Sequence, residues 1–149
     1  MKTETEVNVF VNGVLHYFQT TVQQGAECGT PYLALARVPD ISDYTGMIRI
    51  SGKRQGMVLF TAPKGMLCVM LMRMQETDMS HDNLCDLVGE IANTLSGNAR
   101  RDFGAQFNIS VPQVVHGRGA PVEFPENTRP IVIPIEWRTY HARLVVCLD

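Results

Sequence analysis

Basic charge, paired cysteines, long apolar runs and catalytic signature motifs are all scarce in this sequence, and each shortage removes a class of function. Lys and Arg number 13 against 15 Asp and Glu, a net charge of −2 at pH 7. A chain without basic excess, and with no basic stripe, is not drawn to nucleic acid. The longest uninterrupted apolar stretch, around Gly65 to Met72, falls far short of the roughly 20 residues that cross a bilayer. The opening Met1-Lys2-Thr3-Glu4-Thr5-Glu6 carries acids where a signal peptide needs a basic start. Four cysteines (Cys28, Cys68, Cys85 and Cys147) form no C-x-x-C pair. They read as reduced thiols in or near the core, where free Cys packs as a small hydrophobe. A cytoplasmic location is expected, with no nucleic-acid and no membrane partner.

Motif chemistry is equally sparse. His16, His81, His116 and His141 are scattered and show no metal-ligand spacing, so no metal site is expected. There is no G-x-S-x-G elbow for a serine nucleophile. Gly117-Arg118-Gly119 is too short to cradle a phosphate and reads as a turn. Repeats, low-complexity tracts and linkers are also missing, so residues 1–149 are expected to form a single domain.

What is present is enough for a core. The chain has 149 residues, 45% of them apolar and 19% charged. Val7, Phe10, Val11, Val14, Leu15, Phe18 and Val22 make one helical stripe, closed by Gln23-Gln24-Gly25. Met47 to Ser51 and Met57 to Thr61 are short β-rich runs joined by a glycine-bounded turn. Pro63 suits the start of a helix running to about Met74. Ser80 is a good N-cap and Asp82 a favourable first-turn acid, so the next helix is expected from about His81 to Phe103, with Gly104 at its C-terminal end. Strands follow at Ile109 to Val115, interrupted by Pro112, at Pro130 to Trp137 and at Thr139 to Leu148. Pro112 and Pro134 cannot donate ladder hydrogen bonds and mark an edge or a bulge. Hairpin-type links predominate, so the fold class is α+β, a largely antiparallel sheet with long helices packed on it. The loops 25–43 and 117–129 match no pattern.

The helix after Ser80 is the most informative segment. On a helical wheel Leu84, Leu87, Val88, Ile91, Leu95 and Ala99 share the core side, and Asp86, Glu90, Asn93 and Gly97 the opposite side. Glu90 and Asn93 are i, i+3 neighbours pointing away from the core. Gly89 and Gly97 stand inside the helix, each about 1 kcal/mol worse than alanine there, and would let another surface approach the pair. Exposed Glu and Asn are common, so this placement alone does not separate a site from solvated surface.

The run Val88-Gly89-Glu90-Ile91-Ala92-Asn93, followed by Gly97-Asn98-Ala99, resembles the signature helix of the CheC/CheX/FliY phosphatases, whose active pair is E-x-x-N. Ile48 to Val58, Ser110 to Gly119 and Pro130 to Ile135 resemble further blocks of that family in the same order. A single such helix and a length near 150 resemble the CheX form rather than the two-site CheC form. The resemblance implies a CheC/CheX-like domain that hydrolyses the aspartyl phosphate of a CheY-like response regulator. It implies Asn93 holding the attacking water and Glu90 pairing with the receiver's lysine, with Asp86 and Gly97 lining the partner interface. It implies no cofactor bound by this chain, Mg2+ in the partner receiver domain, and a homodimer joined through its sheets. The competing reading is a receiver-binding adaptor of the same fold without turnover, which would have no need of an amide beside Glu90.

Overall fold

The amphipathic N-terminal segment folds as expected into a helix, α1 (Lys2–Tyr17), in the computed structural model, which describes residues 2–35 and 40–149. One wider π turn, Phe18–Val22, continues it, and Gln23 closes it with φ 62°. Phe10, Val14, Tyr17, Phe18 and Val22 are buried. Leu15 lies on the margin of this stripe and stays partly exposed, while Tyr17, one turn from Val14, takes the inner position. The extra residue in the π turn swings Val22 back over the stripe.

Two short edge strands follow, β1 (Glu27–Cys28) and β2 (Tyr32–Leu33), then the hairpin β3 (Tyr44–Gly52) and β4 (Gly56–Ala62). Residues 36–39 of the 25–43 loop lie outside the described residues. Helix α2 (Lys64–Arg73) starts after Pro63, and α3 (His81–Phe103) starts after Ser80, whose Oγ accepts the Asn83 amide at 3.3 Å. Gly104, at φ 97°, ends α3 in a backbone conformation that residues with a Cβ avoid. The interrupted strand expected at 109–115 is two strands, β5 (Phe107–Ile109) and β6 (Gln113–His116), both antiparallel to β3. Pro112 cannot donate to the ladder, and Ser110 turns inward to bond Arg49, so the segment leaves the sheet and rejoins it. β7 (Arg129–Trp137) and β8 (Tyr140–Leu148) complete the described strands.

These eight strands form one antiparallel sheet in the order β1-β7-β8-β4-β3-β5, with β2 also on β7 and β6 also on β3. The carbonyls of Pro130 and Pro134 accept from Ala34 and Gly29. Both proline nitrogens therefore face the irregular edge rather than the β8 ladder, where a missing donor would leave a carbonyl unpaired.

The helices cover one face of the sheet. Their apolar sides meet Ile48, Val58, Phe60, Ile133, Ile135, Trp137 and Leu144 in the main core. The Trp137 indole N–H donates to the Gln24 carbonyl at 3.1 Å, which pays the polar end of the largest core side chain. The other face is buried too. Val122 and Phe124, from the 117–129 loop, cover Met57, Leu59, Val132, Val145 and Cys147. That loop therefore forms the sheet's second cover, a role its sequence does not announce.

Candidate functional site

Helix α3 is held against the sheet by backbone contact. A Cβ on Gly46 of β3 would lie 2.4 Å from the Val88 carbonyl oxygen and 3.1 Å from the Gly89 Cα. Only glycine at 46 lets the helix come this close. A Cβ on Gly89 would meet Val114 Cγ2 at 3.1 Å and Pro112 Cβ at 3.4 Å. Gly89 thus serves an internal contact with β6 and the 110–112 crossover, and is buried rather than open to a partner. The expectation that both helix glycines clear space for another surface is corrected here for Gly89. Gly97 is half-buried, and the nearest side-chain atom to a Cβ there would be Ile109 Cδ1 at 4.0 Å, so it keeps open room.

The contact at Val88 and Gly89 sits immediately before Glu90, so the depth and rotation of the site are set by rigid elements on both sides. Leu84, Leu87, Val88, Ile91, Leu95 and Ala99 are buried as the wheel requires. Asp86, Glu90 and Asn93 are exposed on the outer side. Among the described residues neither the Glu90 nor the Asn93 side chain has a hydrogen bond or ion pair. The structure therefore brings Asp86, Glu90 and Asn93 together on one exposed helix face, with Gly97 a turn further on.

One neighbour of this face was not singled out in the sequence. Tyr17 of α1 is buried, and burial, followed by the negative charge of Glu90, pushes its phenol far above the usual range. Tyr17 is therefore a neutral phenol close to the Glu90 carboxylate. Its signal was present as the position one turn beyond Val14, but tyrosine reads equally well as core. On the other flank Pro112 covers Gly89, and Val111 beside it is 81% exposed. Ser110 pins this crossover, its N–H donating to the Arg49 carbonyl at 3.0 Å and its Oγ accepting the Arg49 amide at 2.9 Å.

Chemically the Glu90–Asn93 pair offers one carboxylate and one carboxamide, spaced about one helical turn apart and without a hydrogen bond or ion pair among the described residues. A carboxylate can pair with a cation, and a carboxamide can hold a water by donating and accepting at once. No helix among the described residues is long and apolar enough to cross a membrane.

The model of the chemotaxis phosphatase CheX family matches residues 44–136, from the start of β3 to the penultimate residue of β7 and including all of α3. No curated protein matches the sequence. Among solved structures, the chemotaxis protein CheX of Desulfovibrio desulfuricans superposes with a TM-score of 0.85 at 23% identity, over 97% of this chain and 99% of that one. A chemotactic CheC-like protein of Shewanella oneidensis gives 0.80 at 26% identity, over 96% and 97%. CheX of Borrelia burgdorferi, solved in complex with CheY, BeF3 and Mg2+, gives 0.76 at 13% identity, over 96% and 97%.

Proposed function

The chain belongs to the CheX family of chemotaxis phosphatases, and from that premise we propose that it hydrolyses the aspartyl phosphate of a CheY-like response regulator, with Asn93 positioning the water. The observation that carries this reading is the exposed, unengaged Glu90–Asn93 pair on a helix locked to the sheet one residue earlier. The Borrelia relative bound to CheY supports the choice of partner.

Phosphoryl transfer needs positioning and charge neutralisation more than covalent chemistry from the protein. The receiver supplies the phosphoryl group, its Mg2+ and a lysine. This chain supplies order to the water. The Asn93 amide accepts a hydrogen bond from the water and donates one toward the phosphoryl oxygens. Glu90 pairs with the receiver's lysine and sets how far α3 inserts. Tyr17, kept neutral, adds no charge that competes for that lysine. Asp86 and Gly97 line the docking face, Gly97 because a side chain there would stand between the surfaces. Two copies joined through their sheets make the working unit.

The test is release of phosphate from a receiver domain labelled at its aspartate, with Mg2+ present. Wild-type protein accelerates release, and Asn93→Ala lowers the rate by about 10²-fold or more while receiver binding holds, because the loss falls on placement of the water. Glu90→Lys weakens receiver binding by at least about tenfold, since it sets like charges face to face. An Asn93→Ala protein working at the wild-type rate would refute the assignment. Binding without any acceleration by the wild type would make the protein an adaptor.

A further inference from the structure

The crossover between β5 and β6 runs along α3 beside Asn93. Two contacts place it. A Cβ on Gly97 would have Ile109 Cδ1 at 4.0 Å, and a Cβ on Gly89 would have Pro112 Cβ at 3.4 Å. Gly89, Asn93 and Gly97 follow one another at intervals of one turn, nearly in line, and span about 12 Å of helix. Extended chain from Ile109 to Pro112 covers about 10 Å. The crossover therefore passes from one glycine to the other, antiparallel to α3, and Ser110 and Val111 come level with Asn93.

Of these two residues, Ser110 turns in and Val111 turns out. The Ser110 N–H donates to the Arg49 carbonyl at 3.0 Å. The Ser110 Oγ accepts the Arg49 amide at 2.9 Å and donates to the Val111 carbonyl at 2.9 Å. One hydroxyl thus ties the crossover to β3 and holds the Val111 peptide. On the other side Pro112 has a fixed φ and rests on Gly89. Between these two restraints the Val111 side chain is 81% exposed. A lone exposed valine is ordinary on a protein surface. This one is held at a fixed height beside an amide that the chain leaves unbonded among the described residues. Its branched side chain is stiff at χ1, so ordering it against a partner costs little entropy.

We propose that Val111 is an apolar docking residue for the phosphorylated receiver domain, seating the receiver's surface on the flank of Asn93. This rests on the reading of Glu90 and Asn93 as the phosphatase pair. On the helical wheel Glu90 lies to one side of Asn93, and Gly89, against which the crossover packs, to the other. A receiver seated over Asn93 meets a carboxylate on one side and a valine on the other. The two do different work. The charge of Glu90 acts at a distance and steers the encounter. The Val111 side chain acts only in contact, so it selects receivers that present an apolar patch beside their phosphorylated aspartate. Pro112 marks a break in the sequence, but nothing local to residue 111 says that α3 lies beside it.

The experiment measures two quantities on full-length protein: affinity for a CheY-like receiver domain activated with BeF3 and Mg2+, and KM and kcat for phosphate release from the labelled receiver. Val111→Ala should weaken binding about tenfold, the scale of two methyl groups lost from a buried contact. The loss should fall on KM rather than kcat, and Val111→Asp should lose more. Val111→Ile should bind like the wild type. The Val111→Ala loss should persist at high salt, where that of Glu90→Lys shrinks. Thermal denaturation checks that the variants are folded, as an exposed side chain allows. Wild-type affinity in both Val111→Ala and Val111→Asp, with Asn93→Ala still slow, would overturn the docking role and leave the phosphatase reading standing. A loss confined to kcat would overturn it too. Binding by the wild type without faster release would sink the phosphatase reading alone, and the affinities would still decide Val111. No binding by the wild type would overturn both.

Discussion

Gly46 carries more of the site's geometry than any residue on the exposed face. Its Cα lies under the Val88 carbonyl, and an added methyl would sit 2.4 Å from that oxygen. Neither partner is a flexible side-chain end, so the helix itself must lift. Overpacking of this kind typically destabilises by about 1–3 kcal/mol. Gly46→Ala is expected to lower the urea midpoint accordingly, and to slow phosphate release because the lifted turn carries Glu90. Gly89→Ala differs in balance. Its Cβ would meet the Val114 methyl at 3.1 Å, a contact that can yield by a few tenths of an ångström. Alanine also regains about 1 kcal/mol of helix propensity. The two effects nearly cancel, so Gly89→Ala should unfold close to the wild type. Equal losses for the two variants in urea titrations would contradict this ranking. Glu90 and Asn93 were legible in the sequence because a helical wheel separates inside from outside. Gly46 was not, because its role depends on which helix lies above it.

At the scale of elements, α3 runs over the stretch expected from its sequence, His81 to Phe103. The reason is that both ends carry their own chemistry. Ser80 Oγ accepts the Asn83 amide, Asp78 Oδ1 accepts the Ser80 amide at 2.9 Å, and the Asp78 carbonyl accepts from the Asn83 side chain at 2.6 Å. Gly104 closes the other end. Ser80→Ala is expected to destabilise the protein by about 1 kcal/mol, with Ser80→Asp restoring most of it, measured by chemical denaturation. Without that loss, the cap would contribute nothing beyond the interactions of Asp78. Elements without such end signals were less legible. The wider turn at Phe18–Val22 has no sequence marker, since both a regular helix and this one keep Phe18 and Val22 inside. The break between β5 and β6 was visible as Pro112, but not that both halves pair with the same strand.

On the scale of the whole molecule, the sheet has two buried faces with different covers. β4 is buried along its entire length, as a central strand between two covers must be. The main core lies under the helices, and the second cluster lies under the 117–129 loop through Val122 and Phe124. Deleting a large buried ring costs about 3–5 kcal/mol. Phe124→Ala is therefore expected to lower stability on that scale in calorimetry or denaturant titration. Below its melting temperature it should leave phosphate release unchanged, because Phe124 packs on the face opposite α3. A variant with native stability would mean that the loop covers the sheet without holding it.

Several features were determined by the sequence alone. They are the α+β class, the bounds of α3, its core side, and the outward direction of Asp86, Glu90 and Asn93. All of them rest on short-range periodicity and end chemistry, which a chain carries wherever it folds. Tertiary structure decided what depends on two distant segments meeting. It set Gly46 under Val88, turned Gly89 from a supposed opening into an internal contact, and brought Tyr17 beside Glu90. It also gave the 117–129 loop a sheet face to cover and gathered Tyr44, His81, Cys85 and His116 at one junction. Periodicity fixes the direction of a side chain relative to its own element; only packing fixes what that side chain faces.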